Sequence, residues 1–591
     1  TGLQERDQIA EISSVARGSS ADLLGLIDQK PLGFPSKLGI KPASVGGTGE
    51  VRFRLRFPLF NNLKVDDIAV NAEADMTDLS MDGLLGRYAL SQGQMKLKVD
   101  TKGLEANGQA ALNGVPLQIG WREEFSARAP VTARYTLKGR IDEAQRKALG
   151  YPLAPYIDGP AEASMEIEER RGGETAIGGE FDLKDATIAI ADAHLLKPAG
   201  MAATGRTQIR TRSGQPVQFD LIEIASAALS AKASAVLNND NSWSAEIASL
   251  KAGPSAAKGD GQSDPKADPK SDAMSDARGR IAFAANGDSQ IALTGHRYDL
   301  RPFVETIFKD DAPPGTVKPR MTLSLRFDEA RIDDVLELRN MALNVQREPT
   351  RMEKVNLTGG FSTTGGVTLA IEPALNGRDL RLVSDNAGAM LHFLGVTDMQ
   401  GGTMTVNARY DDTQATQPLT GRMILKSVRA VRAPFLARLF GAASFAGLGA
   451  LLSGEGIMFE NGEVPFAQKD GVLTIQPSRL SGSQLGITFE GNINQKADTV
   501  SINGTAVPAF VLNTMLGKIP LLGDLLVGDG ILGVNFAVSG AKSDPQFTIN
   551  PLSAIAPGFL RRIFQAPEVS VPTPGDKPAP ERLPMRPSGQ E

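Results

Sequence analysis

The sequence predicts a mainly β chain, with antiparallel strands that are each apolar on one face, set side by side in a long twisted sheet with a few short capping helices. Three observations predict it. Apolar and polar residues alternate strictly in run after run. Such runs recur about every ten to fifteen residues, separated by Gly, Asn, Asp and Pro turn signals. Helical periodicity is too short and too rare to supply the crossovers that a parallel sheet needs.

The clearest strand sets Val51, Phe53, Leu55 and Phe57 against Arg52, Arg54 and Arg56. Met95, Leu97 and Val99 alternate with Lys96, Lys98 and Asp100, and Val131, Ala133, Tyr135 and Leu137 with Thr132, Arg134 and Lys138. Further on, Met321, Leu323, Leu325 and Phe327 repeat the pattern, then Ile487, Phe489, Gly491 and Ile493, then Val534, Phe536 and Val538. Helical spacing is confined to 4–15, 21–29, 143–149, 300–308, 384–394 and 435–452. Residues 254–278 are rich in Gly, Ser, Asp, Lys and Pro with almost no apolar side chain, so burial cannot offset their ordering entropy. They read as a flexible loop or linker, and the Pro-rich tail from 566 reads as disordered.

A one-sided sheet must cover its apolar face. A second sheet does so in a sandwich, side chains or a ligand in a closed barrel, and a bound apolar ligand in an open trough. Alternation alone does not separate these. A membrane barrel needs aromatic girdles, which two Trp and six Tyr do not supply.

Composition removes several functional classes. With 591 residues, a net charge of -5 and no basic stripe, nucleic acid is not an expected partner. No cysteine is present, so thiol nucleophiles and zinc-thiolate sites are absent. The three histidines, His194, His296 and His392, lie far apart in sequence without ligand spacing. No G-x-S-x-G, H-E-x-x-H or P-loop motif occurs. Gly528, Gly530 and Gly533 form G-x-G-x-x-G, but a strand pattern at Val534, Phe536 and Val538 follows where a cofactor site needs a helix. These glycines read as turns. Carboxylate pairs are not excluded in this way, because 68 acidic residues make any pairing arbitrary. The expectation is a protein that is not an enzyme and carries no metal or cofactor.

The apolar run at 433–452 is interrupted by Arg438 and glycines, and reads as a buried or interfacial helical pair that caps one end of the sheet. The chain opens at Thr1 with neither an n-region nor an h-region, so it reads as a fragment.

Residues 384–564 resemble the AsmA-like C-terminal region of the AsmA–TamB superfamily. The likeness rests on the Ser384–Leu391 turn leading to Gly401-Gly402, on Leu436 to Leu452 followed by Ser453-Gly454-Glu455-Gly456, and above all on Ile519-Pro520-Leu521-Leu522-Gly523 and the stretch from Asn550 to Leu560. Upstream, Leu149 to Tyr156 with Gly159-Pro160, and Lys197-Pro198-Ala199-Gly200, are similar to the middle region of YhdP-type members. The resemblance implies a taco-shaped repeating β-groove, open along its length. It also implies a periplasmic protein anchored in the inner membrane by an N-terminal helix, a non-enzymatic bridge-like conduit for phospholipid between inner and outer membranes. Assembly or scaffolding of outer-membrane and other envelope proteins is the alternative.

On this reading the chain divides into an N-terminal helical segment (1–47), β-groove repeats of the middle-region type (48–253), the linker (254–278), further repeats (279–383), the AsmA-like region with capping helices (384–565) and the tail (566–591). The residues expected to face acyl chains are Phe53, Leu55, Phe57, Leu97, Leu137, Leu323, Leu325, Phe327, Val406, Phe489 and Phe536.

Overall fold

The computed structural model describes residues 8–29, 33–37, 39–59, 67–84, 88–190, 195–253, 275–301, 317–333, 336–361, 365–431, 456–508, 534–542 and 544–550. Among them the chain is mainly β. An open sheet takes 29 strands, a small sheet takes three, and no barrel closes. Helices are short: Ser20–Ile27, Phe34–Lys37, Glu143–Ala148 and Ala387–Phe393. The chain forms two compact units, Thr1–Asn386 with Asn407–Gln417, and Ala387–Val406 with Pro418–Glu591.

In the first unit each strand of the large sheet pairs with the next one along the chain, from Ile9–Ser19 against Val45–Pro58 to Gly366–Ala374 against Gly377–Ser384. The first strand corrects the helix expected at 4–15. Ile9, Ile12 and Val15 have a spacing that fits a helix, but residues 9–19 pair along their whole length, Ile9 with Pro58 through Ser19 with Thr48. Tertiary pairing overrides local periodicity there. Helix Ser20–Ile27 follows at once, capped by the Ser19 side chain accepting from the Asp22 backbone N–H, and it buries Leu23. The expected linker is also too long. Ser275, Asp276 and Ala277 already pair with Ala252, Lys251 and Leu250, and Ala277 is fully buried; 254–274 lie outside the described residues.

Ser289–Asp299 and Met321–Arg331 depart from the antiparallel rule and run parallel, with Ile291 beside Leu323. Most of the helix expected at 300–308 falls outside the described residues, as do 432–455, 509–533, the tail and His194.

Cover in this unit is one-sided. Along Leu229–Leu237 the apolar face passes from Leu229, 2% exposed, to Leu237, 36% exposed. Along Trp243–Ala252 it passes from Ala252, 4% exposed, to Trp243, 38% exposed. The covered ends lie under the small sheet of Ile157–Asp158, Thr187–Ile190 and Leu195–Lys197, where Ile188, Leu195, Ala203, Leu229 and Ala252 share one core. Bends shape the same face. Register slips at Gln208/Ile209, Phe219/Ile222, Lys232/Ala233 and Ile247/Leu250 fall in four consecutive pairings, and each bulge bends its strand. At Gly108 the backbones come so close that a Cβ would sit 2.0 Å from the Gln94 carbonyl oxygen.

The second unit is an antiparallel meander from Leu419–Ala430 to Gln546–Asn550. Its core gathers Ala430, Ile457, Phe459, Leu485, Ala506 and Val534. Helix Ala387–Phe393 packs closely on Met399–Gln400 at Gly388, where a Cβ would meet the Gln400 Cα at 2.6 Å.

Lys197 locks the small sheet in place. It is 0% exposed, and its ammonium donates to the carbonyls of Leu183, Lys184 at 2.9 Å and Ala186 at 2.6 Å. A desolvated cation is tolerable only with its donors satisfied. Lys197→Met strands those carbonyls and is expected to cost about 3 kcal/mol in urea unfolding. Lys184→Met, at an exposed neighbour, is expected to change nothing. Equal midpoints for the two variants would contradict this role.

Candidate functional site: an apolar face open along one side

Side-chain parity carries apolar residues across the first unit without interruption. Starting from Ala16, the paired residues are Val51, Ala74, Leu97, Ala106, Trp121, Tyr135, Ile167, Ile177, Ile209, Phe219, Ala235, Ala245, Ile281, Ile291, Leu323, Val345, Val355, Ile371 and Leu380. None is charged, and most are only half-buried. A second file two residues away runs through Met76, Met95, Ile119, Leu137, Met165, Ile222, Ala233, Ile247, Leu293, Leu325, Leu343, Leu357 and Leu369, with glycines between and Thr207 as its single hydroxyl. At about 4.8 Å per strand, the first file extends about 90 Å along the ladder.

The residues expected at the site fall on this face unevenly. Leu97 and Leu323 belong to the first file, Leu137 and Leu325 to the second. Phe53, Leu55 and Phe57 are half-buried toward the open side, with Arg52, Arg54 and Arg56 exposed behind them. Leu323, Leu325 and Phe327 are almost wholly covered by protein, and Tyr298 stacks on Phe327 at 5.0 Å. In the second unit Val406 and Phe489 are half-buried. Phe489 pairs with Gly504, which pairs with the buried Phe536, so the two rings flank one glycine. The sheet does not gather these residues into one pocket. In the first unit it spreads them over separate strands, some half-buried and some covered.

The opposite face is polar and ion-paired. Lys98 meets Glu73 at 3.6 Å, Arg140 meets Glu162 at 3.4 Å and Arg280 meets Glu246 at 3.4 Å. His296 meets Asp328 at 3.1 Å on exposed surface. Among the described residues no group of three His, Asp or Glu is arranged to hold a metal, and no helix is long and apolar enough to cross a membrane.

Two carboxylates break the apolar face at its open side. Glu123 lies two residues beyond Trp121, and Glu169 two beyond Ile167; both pair with Ala133 in the strand between them. The Trp121 indole N–H donates to the Glu123 carboxylate at 3.0 Å. Burial pushes the Glu123 carboxyl above the usual glutamate range, and the negative charge of Glu169 adds to the rise, against the lowering effect of the indole hydrogen bond. Sequence reasoning passed these residues over. The signal is nonetheless legible: in Val115, Leu117, Ile119, Trp121 and Glu123, and in Ala161, Ala163, Met165, Ile167 and Glu169, the apolar parity ends on a glutamate.

No family model, curated protein or solved structure matches the chain.

A carboxyl whose folded pKa is raised supports folding below the ordinary glutamate pKa, and that support is lost as pH rises through the raised value. Charged Glu123 therefore costs stability at neutral pH. Glu123→Gln is expected to melt higher than the unaltered chain at neutral pH, with the gap closing below about pH 4. A variant that melts lower at neutral pH would contradict the burial of this charge.

Proposed function

We propose that the protein is a non-enzymatic lipid conduit whose first unit holds acyl chains along its apolar face. The observation that carries this reading is the uninterrupted apolar file from Ala16 to Leu380, half-buried over most of its course. A packed sandwich would cover that face on both long sides, whereas Leu237 and Trp243 end their strands in the open. A half-buried apolar file of this length calls for an apolar occupant. An acyl chain gains about 0.8 kcal/mol per methylene withdrawn from water, and successive equivalent rungs let it shift without a large step in free energy.

The resemblance to AsmA-like and YhdP-type proteins supports the same reading and supplies its setting. That setting is the periplasm, with phospholipid as cargo between inner and outer membranes and other envelope proteins as further partners. In the alternative, a scaffold for envelope assembly, the apolar face binds protein segments instead.

Mass spectrometry of the purified chain discriminates. The conduit reading expects phospholipid to co-purify at more than one molecule per chain. Ala245→Asp places a charge in the middle of the file at a half-buried position, where passage over it costs several kcal/mol. With native circular dichroism, this variant is expected to move labelled phospholipid between donor and acceptor vesicles at least tenfold more slowly. Lys232→Asp, exposed on the other face, is expected to transfer normally. A lipid-free preparation, or unimpaired transfer by folded Ala245→Asp, would overturn the conduit.

A further inference from the structure

Trp121, Glu123, Tyr135 and Glu169 form a group that the proposed conduit does not require. A trough for acyl chains is best served by uniform apolar lining, yet here two carboxylates stand on the apolar face at its open side. They lie two strands apart, about 10 Å, and converge over Ala133. No cation of the described chain pairs with either carboxylate. Three nearby arginines are committed elsewhere. Arg134 pairs with Glu166 and Glu168 on the opposite face, Arg170 pairs with Glu168 and Glu174, and Arg171 donates to the carbonyls of Ala129 and Ser126.

The aromatic pair beside them supplies a second, independent observation. Trp121 and Tyr135 stack with centroids 6.1 Å apart. Tyr135 is 8% exposed, and its hydroxyl has no hydrogen-bond partner among the described residues. That hydroxyl lies in the field of both carboxylates: burial pushes its pKa up, and the charges of Glu169 and Glu123 push it further. A largely covered phenol whose hydroxyl keeps contact with solvent stands beside two carboxylates without a cation partner and the indole that donates to one of them, an arrangement open to a cation. Ammonium groups are held by such combinations of aromatic faces and negative charge.

We propose that Trp121, Glu123, Tyr135 and Glu169 bind the amine of a zwitterionic phospholipid headgroup, making this rim position a selector for ethanolamine-type lipids over anionic ones. The inference rests on the conduit reading. With acyl chains on the file through Tyr135 and Ile167, a headgroup at the open side falls next to Glu123 and Glu169 on the same strands. The carboxylates attract its ammonium, and they repel a headgroup whose only charge is phosphate.

The full chain is incubated with vesicles of equal phosphatidylethanolamine and phosphatidylglycerol, re-isolated, and its bound lipid quantified by mass spectrometry. The unaltered chain is expected to favour phosphatidylethanolamine about tenfold, the order of a desolvated ammonium contact. Glu123→Gln with Glu169→Gln is expected to bring the ratio close to one. Glu169→Lys, a half-buried position that accommodates a long side chain, is expected to invert it. Glu105→Gln, on the opposite face, is expected to keep the original ratio. Excess phosphoethanolamine without tails is expected to displace nothing, and displacement would mean that the site reads a soluble amine instead of a lipid. Bound lipid without headgroup preference, or an unchanged ratio in the double variant, would overturn the selector and leave the conduit standing. A chain that takes up no lipid at all would overturn both.

Discussion

Twenty strands share one apolar face only if every pairing preserves side-chain parity, because a slip of one residue turns a strand's whole set of side chains over. Everything else in the first unit depends on that constraint. The polar face helps to enforce it. Glu73 opposes Lys98, Glu162 opposes Arg140 and Glu246 opposes Arg280 directly across their ladders. Each exposed pair is worth only about 0.2–1 kcal/mol, but a slipped register would lose the match on one face and expose apolar residues on the other. Bulges obey the same rule. After the irregularity between Ile247 and Leu250, Leu250 returns to the apolar face and pairs with Ala277.

The asymmetry of cover turns a sheet into a candidate site. Caps and the small sheet bury one end of the strands, with the Lys197 ammonium hydrogen-bonded inside to carbonyls, and that side holds the unit together. The other side leaves Ile12, Leu237 and Trp243 exposed. Had both sides been covered, the apolar file would be an ordinary core. Covered on one side only, it is accessible surface that a soluble monomer rarely keeps. The same openness admits Glu123 and Glu169 to the rim, where burial makes the charge of Glu123 a cost to folding.

Much of this was legible in the sequence, and the failures have definite causes. Strict alternation located Val51 to Phe57, Met95 to Val99, Val131 to Leu137 and Met321 to Phe327 on strands, because a period of two has no helical reading. Residues 9–15 were misread because three apolar residues at helical spacing outweighed a weak alternation, and only the partner strand Val45–Pro58 decides between them. Ser275 to Arg278 were lost in a polar composition that hides a short paired stretch. The apolar file itself was half visible. Parity within a strand can be read locally, but the register that sets Ile209 beside Phe219, or Ile291 parallel to Leu323, is a non-local choice. Glu123 and Glu169 were passed over for a related reason: each reads as a turn-flanking charge until Ala133 is seen between them.

Site-specific photo-crosslinking in lipid-loaded protein tests the central claim most directly. A photoreactive residue is placed in turn at Ile177, Ala235 and Ile281 on the apolar file, and at Arg206, Lys232 and Arg280 on the opposite face. The account predicts lipid adducts from the first three positions and none above background from the second three. Equal labelling of both sets, or labelling of the polar set alone, would contradict it.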